Sequence, residues 1–333
     1  MTGLVGLLAL VLAQEPPVFR TVVELVYVDV FVTKKDAPVS GLEAADFRVE
    51  DNGVAQQAEV VDRRLVPTTA VLVLDISASV AGGNLVHLRE AARVFAAGLG
   101  ERDEAALVTF NEKLLLREDA SRDLAAVGAA LDRVRPRGGT ALVDTLYVCL
   151  KRRWGTGRPL VVLFTDGQDS ASWLENDDIL QAARESSALL HVVGTESLPA
   201  RSRDPSRAPS LPILRTESSP SRSRGPTLPL LRSNPALLSP PFAAEPEMES
   251  GYVYLLRRAA ETTGGAYWPV ESIASLPAAF LRILEASNAR YVLRYEPTGV
   301  PRVGRHRLKV SVRRRGVEVR ARQEYTVSAA PPP

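Results

Sequence analysis

The sequence predicts an α/β fold with a doubly wound, mostly parallel sheet covered by helices on both faces, and a small all-β, sandwich-like domain beside it. Short aliphatic runs such as VLVLD (71–75) and VVLFTD (161–166) alternate with segments of helical periodicity, as in βαβ units. These runs are apolar throughout, which is typical of strands covered on both sides. The flanking segments 18–66 and 289–327 show strand-like alternation instead, and we expect them to form the β domain together.

The bulk composition is that of a soluble globular protein with about two domains. The chain has 333 residues, of which 45% are hydrophobic and 24% are charged, and its net charge is +2. That charge is too small to indicate nucleic acid as a partner. The single cysteine, Cys149, excludes an intrachain disulfide, and its helical context predicts a small buried core residue.

The N-terminal segment, residues 1–17, contains a short apolar run that ends on small residues at Val11 and Ala13. This pattern resembles a secretory signal peptide cleaved after Ala13, although no basic residue precedes the run. We therefore expect an extracytoplasmic protein, either periplasmic or secreted; a frayed tail is the alternative. No apolar run reaches the roughly 18 residues that span a bilayer, so we expect no transmembrane segment.

The first β segment, residues 18–66, begins with a run rich in Val and aromatic residues over 19–33. Two short strands follow within 47–61. The sequence Asp51-Asn52-Gly53 between them is a strong hairpin signal.

The central α/β domain is predicted over residues 67–288. Its expected strands are short and aliphatic and lie at 71–75, 104–110, 158–166, 189–195 and 264–270. Its expected helices have apolar residues at helical spacing and lie at 84–98, 121–134, 140–153, 175–188, 252–263 and 274–288. An insertion at 197–250 holds 11 of the 24 prolines, and this composition predicts a disordered surface loop.

The second β segment, residues 289–327, contains one strand in YVLRYEP and a predicted hairpin around Arg315-Gly316. Its strands alternate Val or Leu with basic residues, namely Arg305, Arg307, Lys309, Arg313, Arg320 and Arg322. A row of this kind also suits polyanion binding, but no aromatic residues are interleaved to stack on bases. We interpret the row as the solvated face of an antiparallel sheet.

Carboxylates and hydroxyls occur where predicted strands end or a helix begins. The five residues are Asp75, Ser77, Ser79, Thr140 and Asp166. The two aspartates end the strands at 71–75 and 158–166, and two glycines permit a tight loop before the threonine. Ligands of open parallel sheets bind outside the carboxyl ends of the strands. We therefore expect these five side chains to meet at one edge of the sheet.

The donor atoms of this set are all oxygens. The absence of His and Cys from the set argues against zinc or copper. Hard oxygen ligands suit Mg²⁺, with Mn²⁺ or Ca²⁺ as alternatives. Two carboxylates leave little excess negative charge around a divalent ion, which would therefore retain affinity for one more anionic oxygen. We expect that oxygen to come from an exposed Asp or Glu of a partner protein.

The ordered pattern Asp75-x-Ser77-x-Ser79, Thr140 and Thr165-Asp166-Gly167 resembles the metal-ion-dependent adhesion site of the von Willebrand factor A domain. The resemblance extends over residues ~68–288, and all five positions of that site match in order. Bacterial proteins related to this family, described largely from acidobacteria, place a β-rich segment before the domain. The runs Val39-Ser40-Gly41-Leu42 and 46–53 are similar to the motifs of that segment, with one residue inserted before the last glycine.

The resemblance implies a role for each residue of the site. Ser77 and Ser79 would bind the ion directly, and Thr140 would do so in a ligand-competent state. Both aspartates would act mostly through water. Asn84 and Asp169 lie nearby in the sequence, and we leave them out of the site. The resemblance also implies an interaction module rather than an enzyme.

Two other classes of function compete with this interpretation. A haloacid-dehalogenase-type phosphatase also ends a strand on an aspartate, but it needs a second acid where this chain has Ser77. A Ser-His-Asp hydrolase needs a G-x-S-x-G elbow, which the sequence lacks, and His191 in LLHVV is predicted to be a core residue with a satisfied ring. The other class is a structural envelope or assembly protein that binds through its β domain.

Overall fold

The structure is a computed structural model that describes residues 25–35, 37–167, 169–195 and 251–327. The predicted signal segment at 1–17 and the predicted insertion at 197–250 lie outside the described residues. Among the helices that are described, none has the length and apolar character needed to cross a membrane.

The first β segment contains one long strand and four shorter ones in the part of the chain that the structure describes. They are β1 (Val26–Lys34), β2 (Ala37–Pro38), β3 (Phe47–Asp51), β4 (Val54–Gln56) and β5 (Glu59–Val61). β3 and β4 pair antiparallel and form the hairpin expected around Asn52 and Gly53. Both turn residues have positive φ angles, 49° and 82°, as the tight turn between these strands requires.

A six-stranded sheet forms the centre of the α/β domain in the described part of the chain. Its strands are β6 (Thr68–Asp75), β7 (Glu104–Phe110), β8 (Leu114–Ser121), β9 (Arg158–Thr165), β10 (Leu189–Thr195) and β11 (Ala266–Val270). The helices are α1 (Gly83–Ala97), α2 (Leu124–Asp132), α3 (Leu142–Lys151), α4 (Asn176–Glu185), α5 (Gly251–Thr262) and α6 (Leu276–Asn288). The strand order is β11-β10-β9-β6-β7-β8, and neighbours are parallel except for β7 and β8. The predicted doubly wound, mostly parallel fold is confirmed.

Successive residues of β6 face opposite sides of the sheet. Leu72 and Leu74 pack with α1, α2 and α6, whereas Val71 and Val73 pack with α3, α4 and α5. All four side chains are fully buried. Helices therefore cover both faces, which is why the strands are continuously apolar in sequence.

The edge strand β8 is absent from the predicted elements, and the predicted start of α2 at residue 121 is too early, since the helix begins at Leu124. β8 is antiparallel to β7 and leaves Leu115 and Leu116 about 40% exposed, so it lacks the buried pattern of the inner strands. Asp123 fixes the start of α2, because its side chain accepts a hydrogen bond from Ala126 N at 3.2 Å. The other predicted elements of this domain agree to within three residues.

The strands of the second β segment are β12 (Tyr291–Tyr295), β13 (Gly304–Val312), β14 (Glu318–Ala321) and β15 (Glu324–Val327). The hairpin predicted around Arg315-Gly316 is wrong, because β13 pairs with β3 and β15 whereas β14 pairs with β1. Both strands point apolar residues into one core, for example Leu308 and Val319, but they do so from opposite sheets. Alternation therefore identified the inward faces without identifying the neighbouring strands.

The two β segments interleave in both sheets of a sandwich. One sheet has the order β14-β1-β12-β5, with β2 beside β1, and the other has the order β15-β13-β3-β4. The strand β1 thus lies between two strands of the second segment. Val30, Val49, Leu293 and Tyr295 are among the buried residues of the core between the sheets.

Charged side chains join the sandwich to the α/β domain at the edge where β9 begins. Asp29 of β1 forms an ion pair with Arg158, the first residue of β9. Arg290 is buried and lies over the ring of Phe31, with 5.4 Å between the guanidinium carbon and the ring centroid. Burial lowers the pKa of Arg290 to about 10. The site predicted from the sequence lies at the other end of the strands.

Candidate functional site

The last residue of β6, Asp75, is completely buried. Its Oδ1 accepts a hydrogen bond from Ser77 N at 2.9 Å, and its Oδ2 accepts one from Thr165 Oγ1 at 2.8 Å. Burial raises the pKa of Asp75 to about 6, although the hydrogen bonds from Ser77 and Thr165 act in the opposite direction. The negative charge of this carboxylate is therefore poorly solvated, and a cation close to it would stabilise it.

Hydrogen bonds link the next hydroxyls to the second carboxylate. Ser77 Oγ lies 3.0 Å from Ser79 Oγ, and Ser79 Oγ donates to Asp166 Oδ1 at 2.8 Å. Ser77 is buried, Ser79 is exposed and Asp166 is half-buried. Partial burial raises the pKa of Asp166, and the bond from Ser79 opposes that change. This chain of oxygens runs from the interior to the surface at the carboxyl edge of the sheet.

The loop that carries Thr140 lies at the same edge. Gly138 O accepts a hydrogen bond from Ala78 N at 3.1 Å, which joins this loop to the turn after β6. Thr140 N donates to Ser170 Oγ at 2.9 Å, and Thr140 itself is buried. A Cβ on Gly167 would lie 3.6 Å from Thr140 Oγ1, so this hydroxyl lies beside the residue that follows Asp166. The structure therefore brings together the segments that contain all five predicted residues.

Asp169 and Asn84, which we left out of the predicted site, hold backbone groups around it. Asp169 Oδ1 accepts hydrogen bonds from Leu142 N at 2.7 Å and Val143 N at 3.2 Å, so it caps the start of α3. Asn84 Nδ2 donates to Ser79 O at 3.1 Å. The helix that Asp169 caps precedes it by 27 residues, so no local sequence signal could have revealed this contact.

The donor set of this edge differs from that of a zinc site rich in His and Cys. In the residues that the structure describes, no group of three or more His, Cys, Asp or Glu side chains could hold a metal ion. The five side chains instead supply two carboxylates and three hydroxyls. Such a set suits a hard cation whose remaining coordination positions are filled from outside the protein.

Other candidate reactive groups are buried away from this edge. His191 is 1% exposed, its Nδ1 accepts a hydrogen bond from Trp268 Nε1 at 3.0 Å, and burial holds its pKa well below the usual range. His191 is thus the core residue that we predicted, with one ring nitrogen hydrogen-bonded and no partner for Nε2 among the described residues. Cys149 lies in the core as predicted, and burial raises the pKa of its thiol to about 12. His306 is buried inside the sandwich.

The match to a known protein family lies within the α/β domain. The family model for the von Willebrand factor type A domain matches residues 70–168. The uncharacterized protein sll0103 of a Synechocystis strain is 29% identical in an alignment of 150 residues that covers 42% of this chain and 35% of that protein. The chain thus spans about a third of the length of this curated relative.

Two solved structures are also similar to this chain. The von Willebrand factor type A protein from Catenulispora acidiphila has a TM-score of 0.47 at 13% identity and covers 86% of this chain and 74% of its own. Proximal thread matrix protein 1 from the mussel byssus, with a zinc-occupied MIDAS motif, has a TM-score of 0.44 at 13% identity, covering 68% of this chain and 47% of its own.

The fold and the position of the polar edge define an α/β protein that presents an oxygen-rich site at the carboxyl ends of a doubly wound sheet. The chain contains a von Willebrand factor type A domain, and the sequence match at residues 70–168 carries this assignment. The relationship to the acidobacterial-type proteins stays a prediction.

Proposed function

We propose that this protein is a non-catalytic, divalent-metal-dependent module that binds another protein. The residues that would hold the ion are Asp75, Ser77, Ser79, Thr140 and Asp166. The ion would be Mg²⁺, with Mn²⁺ or Ca²⁺ as alternatives. The observation that carries the proposal is the chain of hydrogen-bonded oxygens from Ser77 through Ser79 to Asp166, beside the buried carboxylate of Asp75.

The electrostatics of these residues support a bound cation. The pKa values of Asp75 and Asp166 are both raised, mainly by burial, so each charge lacks the stabilisation that water would give it. The oxygens that now bond to one another are those that would turn toward an ion. Ser79 is exposed, which leaves the outer side of the site open to a partner.

The small number of charges in the site supports capture of an acidic side chain. Two carboxylates balance a divalent ion, and the three hydroxyls are neutral. A bound ion supplies an electrophilic centre that can accept one carboxylate oxygen from outside. The exposed Ser79 and half-buried Asp166 would border the partner's Asp or Glu, and the charge-assisted contact would be partly dehydrated.

A catalytic role finds little support in the same residues. Ser77 stands where a dehalogenase-type phosphatase needs its second acid. The buried His191 and His306 cannot reach a substrate at the surface, because each is only 1% exposed. Neither of these histidines can therefore act as a general base beside Asp75. We also propose an extracytoplasmic location, which depends on the N-terminal segment predicted to be a signal peptide.

Metal binding tests the first half of this proposal. Mn²⁺ is titrated calorimetrically into metal-free wild-type protein and into the variants Ser79→Ala and Asp166→Asn. We expect one bound ion in the wild type and at least tenfold weaker affinity in both variants, since each loses an oxygen donor. Asp177→Asn, an exposed carboxylate in the first turn of α4, serves as the matched control. Equal affinity in all four proteins would refute the assigned residues.

Peptide selection tests the second half. A library of displayed random peptides is captured on the protein in Mg²⁺ and eluted with EDTA. We expect the eluted peptides to be enriched in Asp and Glu and to bind Ser79→Ala poorly. Peptides that bind equally well in Mg²⁺ and EDTA would favour the alternative, in which the β domain makes the contact in a structural assembly.

A further inference from the structure

A polar cleft of about 640 Å³ separates the α/β domain from the sandwich at the edge of the sheet opposite the candidate metal site. Its walls come from the last turns of α4 and α5 on one side and from β13, β14 and β15 on the other. We propose that this cleft binds a compact anion that carries two or more phosphate groups. The proposal does not depend on the metal site.

The charge of the cleft is the first observation behind this proposal. Six cationic side chains line it, namely Arg184, Arg258, Arg305, Arg307, Lys309 and Arg322. Two carboxylates, Glu261 and Glu324, accompany them. The formal excess is four positive charges, although the net charge of the whole chain is only +2. A concave surface with charge of one sign concentrates ions of the other sign.

Some of these cationic side chains form hydrogen bonds that hold the walls of the cleft in place. Glu324 accepts hydrogen bonds from Arg184 Nε at 2.8 Å and from Arg305 Nε at 2.6 Å, which links α4 to the sandwich. Arg322 donates to Ser186 O at 2.5 Å and to Glu324 O at 3.2 Å. Arg184 and Arg322 therefore join the two domains, Arg305 binds Glu324 within the sandwich, and the charge of Glu324 is already neutralised.

The remaining cations are available to a ligand. Arg307 and Lys309 are exposed, and neither side-chain cation forms a hydrogen bond or ion pair within the described residues. Arg258 is exposed and contacts Glu261 only loosely, at 3.5 Å. Because side chains two apart on a strand share a face, Arg307 and Lys309 lie side by side, about 7 Å apart along β13. That distance suits two anionic groups of one small molecule.

The size and lining of the cleft narrow the ligand class. Its volume lies within the range of roughly 300–1,000 Å³ that is usual for small-molecule sites. No aromatic side chain lines it among the described residues, so it offers no surface on which nucleic acid bases could stack. Guanidinium groups match the geometry of phosphate oxygens, and adjacent phosphates carry several charges in a small volume. The ends of α4 and α5 contribute partial negative charge, which the excess cations outweigh.

Inorganic tripolyphosphate is a direct probe of this site. Its binding to the full chain is measured calorimetrically at low salt without divalent ions, which keeps the metal site out of the measurement. The test variant is Arg307→Gln/Lys309→Gln. The control is Arg302→Gln/Arg315→Gln, which removes the same charge from exposed positions outside the cleft. All substituted side chains are exposed, and thermal unfolding verifies that each variant is folded.

We expect one tripolyphosphate per chain, at least tenfold weaker binding in the cleft variant, and wild-type affinity in the control. Orthophosphate at equal ionic strength should bind far more weakly, because it carries less negative charge and fewer oxygens than tripolyphosphate. Three results would overturn the proposal: no binding to the wild type, equal weakening in both double variants, or affinity for orthophosphate equal to that for tripolyphosphate.

Discussion

Replacement of Asp75 by asparagine should make the metal-free protein more stable while it removes metal binding. The pKa of this buried carboxyl rises from its ordinary value of 3.8 to about 6 in the folded protein. A difference of about two pH units corresponds to a cost of about 3 kcal/mol for keeping the carboxylate ionised in the folded state. An amide of the same shape avoids this cost, although it loses the charge-assisted bonds from Ser77 and Thr165. We expect a net gain of about 1–3 kcal/mol near neutral pH.

The pH dependence of this gain provides the assay. Because the folded pKa of Asp75 is raised, its contribution to stability is fully present below about pH 4 and is lost as the pH rises through about 6. Urea denaturation in EDTA should therefore show Asp75→Asn above the wild type at about pH 7.5 and close to it at about pH 4. Excess Mg²⁺ should stabilise the wild type by mass action and leave the variant unchanged.

The half-buried Asp166 gives a matched comparison within the same site. Asp166→Asn should produce a smaller gain, because its carboxylate retains part of its contact with water. If Asp75→Asn proves less stable than the wild type in EDTA at about pH 7.5, the hydrogen bonds to the carboxylate outweigh its desolvation. That result would mean that burial of the Asp75 charge does not prepare this site for a cation.

Four further outcomes are expected. The affinity for Mn²⁺ should fall about tenfold for each pH unit below about 6, since protons compete for Asp75; calorimetry showing constant affinity down to about pH 4 would contradict this. Asp29→Ala should lower the free energy of unfolding by about 2–4 kcal/mol in urea, because Arg158 loses its carboxylate partner; a loss well under 1 kcal/mol would show the ion pair to be unimportant. The Cys149 thiol, with a pKa of about 12, should not react with a chromogenic disulfide at about pH 8 until the protein unfolds, and fast labelling of the native protein would disprove the packing. Removal of 290–333 takes away both long neighbours of β1, so its amides should lose protection in hydrogen exchange; retained protection would mean that the two β segments are independent.

The sequence predicted the edge of the sheet well because strand direction fixes where strand ends lie. Once β6 and β9 are parallel neighbours, Asp75 and Asp166 must fall at the same edge. The tight loop before Thr140 was also predictable, because it needs a glycine at position 138. Gly138 has a φ of 75°, and a Cβ at this position would lie 2.3 Å from Glu112 Oε1. The contacts of Asp169 could not be predicted, because they depend on how the loop after β9 packs against α3.

The sandwich was harder to predict, since its strands pair across most of the chain. Val28 lies opposite Leu293, and Val49 lies opposite Val310. The periodicity of two shows which residues face inward, and those residues do form the core. It does not indicate which strand lies beside which, so the neighbouring strands β13 and β14 were assigned to one hairpin although they belong to different sheets.

The basic residues of β13 show that the function predicted from an alternating strand pattern depends on how the domains pack. The interpretation as a solvated face agrees with the exposure of Arg307 and Lys309, but Arg305 is paired with Glu324. The opposite wall comes from Arg184, which is 140 residues from Glu324 in the chain. The alternation in the sequence predicts that these cations share one face of the strand. It does not show that α4, which carries Arg184, packs opposite that face. Because that second wall confines the charge, cations that would be screened on an open sheet become a candidate anion site.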